Sequence, residues 1–112
     1  ARERLGVLSR ITRAGAHWLA VRTDEGIVVL SGSRAVKEIK GLAEGYRKLR
    51  DSLISQGVLI EDGDQYQFTK DYLFSSPSQA AAIIVGYSIN GRESWRTEKG
   101  VTLKEIETRT LL

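Results

Sequence analysis

Residues with the chemistry for catalysis or metal binding are few in this chain of 112 residues. The absence of Cys excludes thiolate zinc sites, iron–sulfur clusters and Cys nucleophiles, and the single His, His17, excludes a multi-histidine metal site. Asp62 and Asp64 flank Gly63 in a turn sequence, and the further ligands of a calcium loop do not follow at the required spacing. The sequence has no glycine-rich phosphate-binding loop. We therefore predict no metal ion and no cofactor.

Ser75, Ser76 and Ser78 form a cluster of hydroxyl groups that could supply a nucleophile. An acylating enzyme of the SxxK type needs a Lys three residues after its serine, and none of these serines has one. A lone histidine such as His17 is more often structural than catalytic, because catalysis also requires a partner beside it. We predict that the chain has no catalytic residue and is not an enzyme.

The same serines suit phosphate binding. Ser76, Pro77 and Gln79 predict the start of a helix, with an N-cap, a proline at the first helical position and a capping box. The free backbone N–H groups at such a helix end favour an anion, and the hydroxyls of Ser76 and Ser78 add further donors. The alternative is that these hydroxyls only cap the helix.

A second candidate for binding lies near the end of the chain, where Asn90 and a turn glycine are followed by Arg92, Trp95 and Arg96. Arg and Asn side chains read base edges in nucleic acid, and an exposed Trp stacks on a base. The alternative is that Trp95 belongs to the core and that the arginines lie at its rim.

Basic residues exceed acidic ones by a formal net charge of +3, and 11 of the 17 basic residues are Arg. The excess lies in residues 1–22 (+4) and 34–56 (+3), whereas residues 57–75 carry −3. In the second basic segment, the candidates for phosphate contacts are Lys37, Lys40, Arg47 and Lys48. The alternative is an ordinary helix surface, in which these cations pair with Glu44 and Asp51.

The apolar pattern predicts one small α+β domain. Strands are predicted over residues 16–23, 27–30, 58–61 and 65–69, and turns at 24–26 and 62–64 join them into two antiparallel hairpins. A short strand over 94–97 brings the total to about five. Three helices are predicted: one over residues 41–56, one from Pro77 to Gly86, and a short one that opens at Thr102.

The first of these helices has apolar residues at spacings of four, three and four, ending at Leu53. Gly57 follows where a left-handed cap belongs, and Val58 can close back onto Leu53 in a Schellman-type contact.

Residues 1–14 are polar and Arg-rich, and we interpret them as a lead-in arm before a single domain over residues 15–112. No apolar stretch is long enough to span a bilayer and no signal-peptide core is present, so we predict no membrane partner and a cytoplasmic location.

Three stretches carry a family resemblance: residues 23–33 (TDEGIVVLSGS), residues 71–81 (DYLFSSPSQAA), and a Gly86-x-x-x-Asn90-Gly91-x-x-x-Trp95 pattern that leads into residues 100–103 (GVTL). Together they resemble the bacterial and archaeal DUF4357 family over residues 15–108. The resemblance implies association with nuclease domains of the GIY-YIG type or with restriction-type proteins. It also implies similarity to the RAMA domain, which has been proposed to read modified DNA. The chain departs from the pattern at Arg92, where the family usually has Trp.

These features together predict a non-catalytic accessory domain that binds nucleic acid, expected to be DNA, beside a nuclease or a modification enzyme such as a methylase. The predicted contact residues are Asn90, Arg92, Trp95, Arg96, Ser76, Ser78, Lys37, Lys40, Arg47 and Lys48. The alternative is a protein-interaction module that positions a neighbouring catalytic domain through the edges of its strands.

Overall fold

The computed structural model describes residues 7–11, 17–87, 89, 95–96 and 101–105, which form two antiparallel sheets and two complete helices. In chain order the elements are β1 (Val7–Ile11), β2 (His17–Thr23), β3 (Gly26–Val29), β4 (Arg34–Val36), α1 (Glu44–Ser55), β5 (Leu59–Asp62), β6 (Gln65–Phe68), β7 (Tyr72–Phe74) and α2 (Pro77–Val85). Residues 103–105 are also helical. The predicted α+β class is confirmed.

The first sheet has the strand order β1-β2-β3-β7, and the second has the order β4-β6-β5. Both predicted hairpins are present, as the antiparallel pairs β2–β3 and β5–β6. The described residues contain seven strands rather than about five, because β4 and β7 have three residues each and pair with partners that are distant in sequence. β1 lies within the segment interpreted as an arm, and it pairs with β2 over five residues. Of the strand predicted at 94–97, residues 95 and 96 are described, and Arg96 forms a bridge with Thr102.

Gly26 begins β3 at a point of close contact with the end of β7. Its backbone has a φ of 154°, and a Cβ placed on it would collide with the carbonyl oxygen of Phe74. Only glycine fits there, because any side chain would push β7 away from β3.

α1 begins at Glu44, so the predicted start at residue 41 is wrong. Gly41 has a φ of 66°, a left-handed conformation that an α-helix cannot include. The predicted apolar stripe is confirmed, since Tyr46 and Leu49 pack against the core and Leu53 is fully buried.

The predicted cap at the end of α1 is also confirmed. Gly57 has a φ of 77°, its N–H donates to the carbonyl of Ile54 at 3.1 Å, and the N–H of Val58 donates to the carbonyl of Leu53 at 2.9 Å. These two bonds are those of a Schellman motif, and they satisfy carbonyls that the helix end leaves free.

α2 follows its predicted boundaries, with Ser76 as N-cap, Pro77 in the first turn and Gly86 as a left-handed C-cap. The helix is buried on nearly every side from Ala80 to Val85. Its alanines allow close approach to the first sheet, as expected for a helix that is apolar all round.

The core is continuous across both sheets and both helices. It joins Trp18, Ile27 and Phe74 of the first sheet to Phe68 of the second, with α2 packed among them. The described residues of both sheets and both helices therefore share one hydrophobic core.

Candidate nucleic-acid interface

The start of α2 is predicted as an anion site, and two of its backbone N–H groups bind within the chain. The N–H of Gln79 donates to the Oγ of Ser76 at 3.1 Å, and the N–H of Ala80 donates to the carbonyl of Ser76 at 3.2 Å. Pro77 has no N–H, and Ser78 is half-buried. The side chain of Gln79 completes the cap from the other direction, because its Oε1 accepts from the N–H of Ser75 at 3.0 Å. These bonds are those expected from the alternative interpretation, in which the serine hydroxyls only cap the helix.

Trp95 is a core residue, and its proposed stacking on a base is wrong. Its side chain is fully buried, and its ring meets that of Trp18 edge to face, with 3.9 Å between the centroids. Its Nε1 donates to the carbonyl of Pro77 at 3.1 Å, which ties this part of the chain to the start of α2. A base cannot reach the indole while these contacts are intact.

Arg96, next to Trp95, is exposed, as the rim alternative expects. The other two candidates of this stretch, Asn90 and Arg92, lie outside the described residues. Among the candidates at this end of the chain, Arg96 is therefore the one that the structure describes as exposed.

The three lysine candidates each lie beside a carboxylate. The Nζ of Lys37 is 3.4 Å from Glu61 and also donates to a backbone carbonyl, the Nζ of Lys40 is 3.9 Å from Glu38, and that of Lys48 is 3.5 Å from Glu44. Exposed pairs of this kind contribute little to stability. They do reduce the local positive potential, so this surface is mixed in charge. The alternative interpretation named Glu44 and Asp51 as the partners; Lys48 lies beside Glu44, whereas Lys37 and Lys40 lie beside Glu61 and Glu38.

Arg47 is exposed on α1 and makes no ion pair with another described residue. It lines a shallow hollow together with Leu42, Glu44, Lys48 and Asp51. Of the four cations proposed around the first helix, Arg47 is therefore the one without an ion pair to a described residue.

Arg50 lies on the same helix, and the sequence analysis did not single it out. It is 1% exposed; its Nη1 donates to the carbonyl of Ile83 at 2.7 Å, and its Nη2 donates to the carbonyls of Val36 and Lys37. Burial lowers the pKa of the guanidinium below its usual value, and nearby Tyr66 and Asp51 oppose that shift.

The carbonyls that Arg50 reaches explain its position. Ile83 lies in the last turn of α2, where carbonyls lack helical partners and the helix dipole favours a cation. Arg50 therefore holds α1, α2 and the end of β4 together, and it is a structural residue.

The described residues contain no group of three His, Asp or Glu side chains placed to hold a metal ion. Among the same residues, none of the helices has both the length and the apolar character needed to cross a membrane.

Residues 10–107 match the model of the family described as "Domain of unknown function (DUF4357)". The chain, a small α+β domain, belongs to this family. Comparison with curated proteins and with solved structures finds no match.

The motif residues that carry the resemblance have structural roles. Ser33, which is buried, accepts a hydrogen bond from the N–H of Leu19 at 3.0 Å and donates one to the carbonyl of Leu19, which links β2 to the start of β4. Ser76 and Gly86 cap α2, and Trp95 fills the core. In this chain, these four residues therefore contribute to the core and to the ends of its elements.

Proposed function

We propose that the chain is a non-catalytic accessory domain that binds nucleic acid, with DNA as the expected form, and that works beside a nuclease or restriction–modification enzyme. The distribution of charge supports this proposal. The most basic segment, residues 1–22, includes the edge strand β1, whereas the acidic segment, residues 57–75, contains β5 and β6 of the other sheet. In the sequence, the positive excess thus lies around β1 and β2 of the first sheet, and the acidic segment includes the β5–β6 hairpin of the second.

The cations that remain for phosphate contacts are those that make no ion pair with a described carboxylate. Arg47 and Arg96 are exposed and make no ion pair with a described residue. Binding through such residues is electrostatic and independent of sequence, because phosphate contacts position a protein without reading the bases.

Binding is tested by fluorescence anisotropy with labelled duplex and single-stranded DNA at about 50 mM and about 200 mM salt. We expect binding that is clearly weaker at the higher salt, since each phosphate contact releases counterions. Absence of binding to both DNA forms at the lower salt would overturn the proposal.

The contribution of Arg96 is tested by Arg96→Glu, with Lys70→Glu as the control. Lys70 is exposed but belongs to the acidic segment, and both variants change the net charge equally. We expect Arg96→Glu to weaken binding and to reduce the salt slope by about 1, and Lys70→Glu to have a smaller effect. Equal effects of the two variants would remove Arg96 from the interface.

A second candidate function is a protein-interaction module for a neighbouring catalytic domain. The observation that favours it is the edge strand β5, on which Ile60 is 46% exposed and a further strand can be added. Two results together would favour this candidate over the first. The unmodified chain would bind no DNA at low salt, and Ile60→Glu would no longer co-purify with an adjoining nuclease or methylase domain.

A further inference from the structure

We draw no further inference here: the strongest candidate, the shallow hollow beside Arg47 at the start of α1, combines a helix N-terminus with two basic and two acidic side chains, and no second observation among the described residues points to a ligand there.

Discussion

At the scale of single residues, Arg50 shows how a charge can be buried without a carboxylate. Its guanidinium has three backbone carbonyls as partners and lies 5.5 Å from the ring centre of Tyr66. The planar guanidinium spreads its donors over two terminal nitrogens, so it reaches carbonyls of both α2 and the end of β4, whereas a Lys has all its donors on one nitrogen.

We predict that Arg50→Ala lowers the free energy of unfolding by about 2 to 4 kcal/mol, because buried carbonyls lose a charged donor. Urea denaturation measures the change. Arg47→Ala is the control on the same helix; since Arg47 is exposed, it should change stability by less than about 0.5 kcal/mol. Equal midpoints for the two variants would show that the carbonyl contacts do not stabilise the fold.

Residue roles were predictable from sequence only where their partners are local. The N-cap role of Ser76 depends on residues within one turn, and it was predicted correctly. Arg50 was missed because its carbonyl partners lie 13 to 33 residues away. For Trp95 the sequence left two alternatives open, because burial is decided by packing against Trp18 and Pro77.

At the scale of elements, the close approach of β3 to β7 makes Gly26 a sensitive position. We predict that Gly26→Ala lowers the free energy of unfolding by about 2 kcal/mol or more, because its Cβ would overlap the carbonyl oxygen of Phe74. Thermal unfolding followed by far-UV circular dichroism measures the change.

Gly45→Ala is the matched comparison. Gly45 lies within α1 with open space around a Cβ, so the alanine should raise stability by up to about 1 kcal/mol through better helix propensity. Opposite signs for these two Gly→Ala changes are the expected result. A neutral Gly26→Ala would mean that β7 can move without cost.

Whether an element could be predicted from the sequence depends on whether its contacts are local or long-range. The α1 cap and both hairpins are encoded by adjacent residues, such as Gly57 and Gly63. β7 has three residues and exists because it pairs with β3, more than forty residues earlier, which no local pattern indicates. Likewise, β1 was interpreted as an arm because its apolar residues are scattered, and only the pairing with β2 defines it as a strand.

At the scale of the whole molecule, the core that joins both sheets predicts cooperative unfolding. The indoles of Trp18 and Trp95 contact each other in the part of the core beside the first sheet, whereas α1 packs against the second sheet. We predict that Trp fluorescence and far-UV circular dichroism give one coincident urea transition at low micromolar concentration. Two separated transitions would show that the sheets unfold independently.

The pairing of β3 with β7 also determines how late in synthesis on the ribosome the first sheet can be completed. β2 and β3 can form their hairpin early, but the outer edge of β3 stays unpaired until Phe74 has emerged. The second sheet and α1 are encoded entirely between these two strands, so they are made while that edge is open. Exposed apolar edges in such intermediates favour aggregation, and long-range pairing is slow to form. We therefore expect the nascent chain to be most prone to aggregation after Val29 has emerged and before Phe74 has.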